Sequence, residues 1–517
     1  MEGAKVERAG LAVAPPLPAV EIEAKTTAVV IFYSIMAATG GLMMGYDVGI
    51  SGQVTTSDSF LKKFFPLAYD KIQREETDTN NYCKYENEGL QVFTSALHLT
   101  ALTSTFLASR TTRLMGRKKT MLFGGLLFIL GTVLCSTALS FPMLILGRIA
   151  LGSGIGFSNQ STPLYLSEIS PTPIRGALTL LFQFDITLGI LFGNFTAYAS
   201  SGVESDWGWR ITLALAGVPA LFFTLGTILI EDTPNSLIER GQLEKGKLVL
   251  RKIRGTDNVE PEYLEILRAS RVAQAVENPF ADLLMGQNGP PLVIAIMVQV
   301  FQQFTGINAI MLYSPLLFKT LGFGDKSSLY SSVITGGVNA LSTCIAIYSV
   351  DKIGRRMLLL EAGVQMFLSQ LIIAVILALK VDDDSNTLSH GMAIGVVIML
   401  CTFVSSYAWS WGPLAWLLPS ETFPLETRSA GLSVTVCVNM MFTFLIAQSF
   451  PTMLCQMKFG IFLFFSGWVL AMSLFAFYLL PETKGIPIEE MLERLWKQHW
   501  FWKKFMEDEI KENEDSD

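Results

Sequence analysis

The chain has 517 residues, of which 50% are hydrophobic and only 16% are charged. Soluble globular proteins carry about 25% charged residues, so this composition excludes an ordinary soluble enzyme and indicates a membrane protein. The net charge of −7 identifies no partner, because the placement of Lys and Arg along a membrane protein carries more information than their sum.

Apolar stretches of about twenty residues recur along the chain, each long enough to cross a hydrocarbon core of roughly 30 Å as an α-helix. We predict twelve spans, near residues 27–52, 90–110, 120–140, 142–166, 177–199, 211–230, 290–318, 328–350, 357–380, 391–418, 429–450 and 458–480. Lys and Arg concentrate in every second connection, which the positive-inside rule assigns to the cytoplasm. Both termini are then expected to be cytoplasmic.

Short motifs recur in the same order in the two parts of the chain. Arg117 after the second span matches Arg355 after the eighth, and Glu168 after the fourth matches Glu421 after the tenth. Such repetition predicts two similar six-helix halves, with a binding site between them near the membrane midplane. The predicted divisions are an N-terminal segment 1–26, a first half 27–230 with a lid loop 57–89, a linker with short helices 231–289, a second half 290–480 and a tail 481–517.

Asp47 is an ionisable residue inside the first span. A charge at membrane depth costs roughly 2.5 to 3.5 kcal/mol even on lenient scales, so such a residue is usually paired and functional. Arg148 in the fourth span lies between glycines, which allow helices to approach closely. We predict that ionised Asp47 pairs with Arg148 and that protonation releases the pair. A static ion pair that only holds helices together is the alternative.

Amide side chains cluster in the seventh span. Gln299, Gln302 and Gln303 have the i, i+3, i+4 spacing that places side chains on one helical face. A helix break at Gly306 would turn Asn308 towards the same cavity. Amides suit a ligand that presents many hydroxyl groups. Alternatively, such amides only join helices, where each contributes about 0.6 kcal/mol on average.

Several longer motifs carry a resemblance to a known family. They are Tyr46–Gly52, Gly116–Lys118, Pro163–Glu168, Arg175–Ala177, Pro234–Gly241, Gln302–Asn308, Trp409–Glu421 and Pro481–Gly485. The chain resembles the sugar porters of the major facilitator superfamily and, within them, the plant and green-algal monosaccharide–proton symporters called sugar transport proteins. The resemblance implies an all-α membrane protein of twelve transmembrane helices in two six-helix halves. It also implies import of a hexose, with glucose the first candidate, together with a proton.

The resemblance also implies roles for individual residues. It supports Asp47 and Arg148 as the proton-coupling pair and Phe93 as an apolar wall of the sugar site. The residues that match the family's sugar pocket are Gln183, Gln302, Gln303, Asn308, Asn339, Trp416, Asn439 and Thr443. Those that match its cytoplasmic gate, expected to hold the halves together in the outward-facing state, are Arg113, Arg117, Glu168, Arg175, Arg355, Glu421 and Arg428. Simple solvated surface charge is the alternative for the gate residues.

Three further residues call for explanation. Cys83 and Cys455 fall in loops predicted to be non-cytoplasmic, where disulfides persist, and a bond between them would clamp the first half to the second. The pair also resembles the plant branch of the family; two unpaired thiols are the alternative. Asp185, in the fifth span, departs from the family pattern of a small or neutral side chain. It could be a second protonatable site, a partner for another helix, or a neutral acid.

We therefore expect a multi-pass plasma-membrane symporter that acts on a monosaccharide and a proton, works as a monomer in the lipid bilayer, and uses no cofactor, metal or nucleic acid. A facilitative uniporter is the first alternative, which the carboxylate of Asp47 argues against. A sugar sensor that does not transport is the second, and the short tail 481–517 argues against it. An enzyme is not expected, because no metal-ligand cluster or nucleophile triad can be argued from the sequence.

Overall fold

A computed structural model describes residues 26–74, 87–203, 206–275, 279–284, 289–313, 318, 325–380, 390–424, 427–484, 486 and 491–505. The regular secondary structure of these residues is helical. Within them, eleven helical segments are long and apolar enough to cross a membrane, and Gly289–Phe304 is a shorter apolar helix at the position of the predicted seventh span.

The helices fall into three groups along the chain. The first group, called here the first half, is α1 (Ala28–Ala38), α2 (Gly40–Val54), α3 (Asp58–Phe64), α4 (Pro66–Arg74), α5 (Glu88–Met115), α6 (Arg117–Ser136), α7 (Phe141–Ile169), α8 (Arg175–Ser200), α9 (Trp207–Ala214) and α10 (Gly217–Leu229). The linker helices are α11 (Pro234–Glu239), α12 (Leu243–Arg254), α13 (Glu260–Ala275) and α14 (Pro279–Asp282). The second half is α15 (Gly289–Phe304), α16 (Ile307–Leu312), α17 (Asp325–Ile353), α18 (Arg355–Lys380), α19 (His390–Ala408), α20 (Trp411–Thr422), α21 (Arg428–Met457) and α22 (Gly460–Tyr478).

Polar side chains begin several of these helices by accepting hydrogen bonds from the free backbone N–H groups of the first turn. Thr27 caps α1 through a bond from the N–H of Val30. Asn87 caps α5 and accepts from the N–H groups of Gly89 and Leu90. The helix starts are therefore encoded locally.

The two halves use the same device where their third helical spans begin. Asp232, which follows α10, accepts hydrogen bonds from the backbone N–H groups of Arg117 and Lys118 at 3.2 Å each. Glu482, which follows α22, accepts from the N–H of Arg355 at 2.9 Å. A carboxylate suits this position because the N-terminus of a helix carries a partial positive charge. The repeated motifs of the sequence thus correspond to repeated contacts.

Glycines let α2 and α8 cross in backbone contact. A Cβ atom added at Gly45 would lie 1.9 Å from the carbonyl oxygen of Ile186, and one at Gly49 would lie 2.6 Å from that of Ile190. The same close approach joins α5 to α7, where a Cβ at Gly152 would lie 2.2 Å from the carbonyl oxygen of Leu97. These crossings join α2 to α8 and α5 to α7.

The linker helices pack under the first half. Arg254 of α12 forms an ion pair with Glu262 at 2.7 Å and donates a hydrogen bond to the carbonyl oxygen of Ile169, at the end of α7. Lys252 donates to the Glu231 carboxylate at 2.7 Å, and this bond raises the pKa of the lysine. The linker is therefore attached to the end of α7 and to the segment that follows α10.

Candidate functional site

The structure brings Asp47 and Arg148 together. Nη1 of Arg148 donates to Oδ1 of Asp47 at 2.5 Å, and the two side chains are 0% and 4% exposed respectively. Ser51, one turn further along α2, places its hydroxyl 3.3 Å from Oδ2 of Asp47. A charge-assisted bond of this length in a buried site is strong, and removing one charge leaves the other unpaired.

Phe93, which the resemblance predicts to be an apolar wall of the sugar site, lies against the ion pair. Its ring is fully buried, and the ring centroid lies 3.9 Å from Cζ of Arg148. Its other side contacts Phe60 of the lid helix α3, with ring centroids 5.3 Å apart. Helix packing turns the ring towards the guanidinium because α5 and α7 touch at Gly152. Phe93 therefore covers the ion pair, and a desolvated cation–π contact of this kind contributes about 2 kcal/mol.

Three amide side chains form a buried cluster in the second half. Nδ2 of Asn439 donates to Oε1 of Gln299 at 2.6 Å and to Oε1 of Gln302 at 2.7 Å. Nε2 of Gln299 donates to the carbonyl oxygen of Ala415 at 2.7 Å, and Nε2 of Gln302 donates to that of Gly412 at 3.1 Å. The cluster joins α15, α20 and α21.

The helix break predicted at Gly306 is confirmed. Gly306 has φ of 84°, a left-handed value that glycine tolerates without steric cost, and it separates α15 from α16. Beyond the break, Nδ2 of Asn308 donates to Oε1 of Gln303 at 2.6 Å and lies 3.4 Å from the Thr443 hydroxyl. The break thus returns Asn308 to the neighbourhood of the amide cluster, as predicted from the sequence.

The other predicted pocket residues come from three further helices. Trp416 of α20 is 7% exposed and meets Phe182 of α8 edge to face, with centroids 5.9 Å apart. Gln183 follows Phe182 and is also buried, as is Asn339 on α17, the helix that packs against α8. Oδ1 of Asn339 has no hydrogen-bond partner among the described atoms, so an acceptor is available there. The first and second halves therefore meet at Phe182 and Trp416.

Two predicted gate residues of the first half, Arg117 and Glu168, form an ion-pair cluster with Glu239 of the linker. Arg117, at the start of α6, contacts Glu168 at the end of α7 and Glu239 of α11, each at 2.6 Å. Glu168 also accepts a hydrogen bond from Thr233. Arg113 is exposed at the end of α5. The ion pairs of Arg117 join the start of α6 to the end of α7 and to the linker helix α11.

The second half repeats this arrangement. Arg355 contacts Glu421 at 2.7 Å and Asp351 at 3.0 Å, and Glu421 accepts from Thr483 at 3.1 Å. These contacts join the end of α17, the start of α18 and the end of α20 to the segment that follows α22.

The remaining gate residues lie where the halves approach each other. Arg175 begins α8, and its neighbour Gly176 faces the carboxylate of Asp351: a Cβ there would lie 3.0 Å from Oδ1. Arg428 is buried at the start of α21, where it lines an opening of about 460 Å³ together with Glu168. These positions form the contact between the halves on the linker side.

The cysteines divide into two groups. Cys455, at the end of α21, is disulfide-bonded, whereas Cys135, Cys344, Cys401 and Cys437 are free. Cys83, its predicted partner, lies outside the described residues.

Asp185 lies in α8 next to α2. Its Cβ is 3.2 Å from the position that a Cβ at Gly41 would take.

Several residues that contact the predicted pocket and gate residues are not themselves in those two predicted sets. Gln299 shares the face of Gln302, and that spacing was its signal. Thr233 and Thr483 each hold one gate glutamate, and their signal was the acid–threonine pair that follows the last span of each half. Glu239 carries no sequence signal of its own, because only the packing of α11 against α6 and α7 brings it to Arg117.

Comparison with known proteins supports one family. The model of the family "Sugar (and other) transporter" matches residues 33–496. Sugar transport protein MST4 of Oryza sativa subsp. japonica is 64% identical over 489 residues, 95% of this chain and 94% of that protein. Sugar transport protein 13 of Arabidopsis thaliana is 62% identical, over 95% of this chain and 93% of its own length.

Solved structures show the same fold. The proton:xylose symporter XylE of the major facilitator superfamily, bound to 6-bromo-6-deoxy-D-glucose, superposes with a TM-score of 0.78 at 24% identity. The match covers 91% of this chain and all of that one. The expected fold class, twelve transmembrane helices in two six-helix halves, is confirmed. The chain is a multi-pass membrane transporter rather than an enzyme, and it belongs to the family "Sugar (and other) transporter".

Proposed function

We propose that this protein imports a monosaccharide together with a proton across the plasma membrane by alternating access. The observation that carries the proposal is the buried Asp47–Arg148 ion pair, 2.5 Å long, inside a membrane-spanning half. A buried pair becomes costly when one partner loses its charge, because the other is left uncompensated. We therefore expect the helices of the first half to change position when Asp47 is protonated.

The contacts of Arg148 make it sensitive to this event. Its Nη1 donates to Asp47, while Nε and Nη2 have no hydrogen-bond partner among the described atoms. Hydrogen bonds to charged groups are worth about 1.5 to 3 kcal/mol, so one such bond is a large part of what holds the guanidinium in place. When a proton neutralises Asp47, the guanidinium is freed, and the helices α2 and α7 that carry the two groups can shift.

The sugar site in this proposal is the buried amide cluster and its surroundings. Gln302, Gln303, Asn308, Asn439 and Thr443 of the second half would exchange their mutual hydrogen bonds for bonds to sugar hydroxyls. Gln183, Asn339 and Trp416 would complete the site from α8, α17 and α20. An indole beside a pyranose supplies an apolar face, which amides do not. Because Trp416 of the second half contacts Phe182 of the first half, a sugar bound at this point would contact both halves.

The named relatives support the substrates. The rice and Arabidopsis proteins are called sugar transport proteins, and XylE is described as a proton:xylose symporter. Proton coupling would be useful to a cell because one charge across 100 mV provides about 2.3 kcal/mol. One pH unit provides about 1.4 kcal/mol more. Together, about 3.7 kcal/mol is enough for roughly 500-fold accumulation.

The remaining assignments follow the family resemblance. We infer cytoplasmic termini from the distribution of Lys and Arg, with the divisions 1–26, 27–230, 231–289, 290–480 and 481–517 given above. The gate residues Arg113, Arg117, Glu168, Arg175, Arg355, Glu421 and Arg428 would act at the linker side as the halves rock. A disulfide between Cys83 and Cys455 would join the lid loop to the second half. One chain contains both halves and therefore suffices as a monomer.

The test is sugar-induced proton entry. Wild-type protein expressed in oocytes is expected to give inward current and external alkalinisation when glucose is added. Asp47→Asn is expected to abolish accumulation, because the amide can be neither charged nor protonated at neutral pH. Asp206→Asn is the matched control, since Asp206 is exposed and pairs with Lys63 at 3.3 Å.

Glucose uptake without any current or pH change would leave facilitated diffusion as the function. Concentrative uptake by Asp47→Asn would contradict the role of this carboxylate. Competition between labelled glucose and galactose, mannose or xylose then ranks the substrates.

A further inference from the structure

Three buried nitrogen atoms near the ion pair have no hydrogen-bond partner among the described atoms. They are Nε and Nη2 of Arg148 and Nδ1 of His98. Arg148 is fully buried and His98 is 1% exposed. Buried polar groups are nearly always hydrogen-bonded, because leaving one unpaired costs about 1 to 3 kcal/mol. Two donors and one potential acceptor left over in one neighbourhood therefore need an explanation.

The helix packing places His98 within reach of Arg148. His98 lies on α5 and Arg148 lies on α7. The two helices touch where Leu97, the neighbour of His98, meets Gly152, which lies about one turn after Arg148. Phe93, one turn before His98, already lies against the guanidinium at 3.9 Å. Helical side chains lean towards the N-terminus of their own helix, so the imidazole reaches back to the level of Phe93. Arg148 is close enough to act electrostatically on His98.

The charges around this position favour a neutral imidazole. Arg148 faces it from α7, with Asp47 of α2 on the other side of the guanidinium. On α6 and α21, which also pack against α5, Cys135 and Cys437 are titratable side chains within the membrane-spanning part, whereas Arg117, Lys118, Lys119 and Arg428 lie at the linker-side ends of those helices. A second cation beside Arg148 would be repelled by it. A neutral imidazole with its proton on Nε2 has a lone pair on Nδ1 and accepts a hydrogen bond there.

We propose that His98 Nδ1 is the second hydrogen-bond acceptor for the Arg148 guanidinium, used when Asp47 is protonated. This inference rests on the proposed proton coupling. In the ionised state Arg148 donates to Asp47, as the structure shows. When a proton binds the Asp47 carboxylate, Arg148 turns one N–H to His98. Arg148 and His98 keep their protons throughout, so the only proton that moves is the one taken up by Asp47.

The consequence concerns how readily Asp47 takes up its proton. Without a second acceptor, protonation leaves a buried cation with no partner, and the protonated state is unfavourable. With His98 present, that state keeps a charge-assisted hydrogen bond. His98 is thus a positioning residue: it sets the proton concentration at which transport is half-maximal without itself binding sugar or proton.

The experiment measures glucose uptake against external pH in oocytes that express the full chain. His98→Leu removes the acceptor, so half-maximal uptake is expected at a pH lower by about one unit, a tenfold higher proton concentration. His98→Asn places an amide oxygen near the position of Nδ1 and is expected to restore a midpoint close to wild type. The sugar KM at saturating proton concentration is expected to stay unchanged in both variants.

Two further variants test whether the effect of His98→Leu comes from lost folding or packing rather than from the lost acceptor. His98→Phe keeps a ring of similar shape without the acceptor and is expected to shift the midpoint as His98→Leu does. Thr105→Val is the control on the same helix, because the buried Thr105 hydroxyl donates to the carbonyl oxygen of Ala101 in its own helix, at 2.7 Å. Its midpoint is expected to match wild type. Surface expression of each variant is measured by labelling.

The outcomes separate the two proposals. A wild-type midpoint in both His98→Leu and His98→Phe would overturn the acceptor role of His98. An equal shift in His98→Asn would overturn it as well, since only packing would then matter. If Asp47→Asn retains coupled uptake, the proposed function itself fails. If Asp47→Asn loses coupling while the His98 variants behave as wild type, only the present inference fails.

Discussion

The carboxylate of Asp47 contacts α7 through Arg148 and its own helix through Ser51. Phe93 covers the guanidinium from the side of α5. An ion pair that is shielded from solvent in this way responds strongly to the loss of one charge, whereas an exposed pair contributes only about 0 to 1 kcal/mol. The environment, rather than the residue type alone, makes this pair suitable for coupling.

For the amide cluster of the second half, we predict a separate effect on sugar affinity. Asn439→Leu removes the donor shared by Gln299 and Gln302 and leaves two buried oxygens without it. We expect the sugar KM to rise about tenfold or more, since an unsatisfied buried group costs about 1 to 3 kcal/mol. The pH midpoint of uptake is expected to remain unchanged, because the proposed proton acceptor Asp47 lies in the other half.

Radiolabelled uptake against glucose concentration checks this prediction. Ser449→Ala on the same helix is the control, because its hydroxyl is exposed and bonds to the Leu445 carbonyl oxygen of its own helix. A normal KM in Asn439→Leu would show that this amide only joins helices.

At the scale of helices, the crossing of α2 and α8 leaves no room for a side chain at Gly45. A Cβ there would overlap the carbonyl oxygen of Ile186 at 1.9 Å. We expect Gly45→Ala to force the helices apart and to reduce the yield of folded protein strongly. Since Asp47 is two residues away, any protein that does fold should also show impaired coupling.

The matched control is Gly337→Ala in α17, where an added Cβ would have no atom within 4 Å. It is expected to fold like wild type or slightly better, because Ala favours a helix over Gly by about 1 kcal/mol. Thermal unfolding in detergent, followed by size-exclusion fluorescence, compares the two. Equal melting temperatures would show that α2 and α8 can separate without cost.

The broken helix pair α15 and α16 shows how a break is stabilised by its surroundings. Nε2 of Gln370 in α18 donates to the carbonyl oxygen of Thr305 at 2.7 Å, which replaces a helical hydrogen bond lost at the break. The ring of Phe465 occupies the space next to Gly306: a Cβ there would lie 2.7 Å from it. The break is therefore held by α18 and α22 as well as by the glycine.

At the scale of the whole molecule, the two halves are joined on the face opposite the linker helices. Ser95 donates to Gln448 at 2.7 Å, and Gln91 donates to Thr452 at 3.2 Å. Asn194 of α8 adds a bond to the Ser332 carbonyl oxygen at 2.8 Å. In an alternating-access cycle these uncharged hydrogen bonds must break each time this face opens. Bonds of about 1 kcal/mol each suit contacts that form and break repeatedly.

Weakening these contacts should shift the population towards opening on that face. In Gln448→Leu we expect faster labelling of a cysteine introduced as Thr56→Cys, because Thr56 is 8% exposed and lines the space beneath the contacts. A membrane-impermeant maleimide applied from outside measures the rate. Ser201→Cys, at an exposed loop position, should label equally in both backgrounds. Unchanged labelling of Thr56→Cys would show that the halves are held elsewhere.

Much of this architecture follows from local pattern. Long apolar stretches predict the spans because a helix of about twenty apolar residues satisfies its own backbone in lipid. Asp47 stands out because charge is costly at membrane depth, and Gln302 and Asn308 stand out because spacing and a glycine predict where they point. Each of these inferences needs only neighbours in the chain.

Other features depend on which helices touch, and the tertiary structure alone decided them. Phe93 faces Arg148 because α5 packs on α7 at Gly152. Arg117 and Arg355 pair within their own halves because each lies next to a glutamate on a packed neighbour. The role proposed for His98 depends on its position beside a guanidinium from another helix. Contacts between distant segments depend on three-dimensional packing, and the periodicity of one segment does not contain that information.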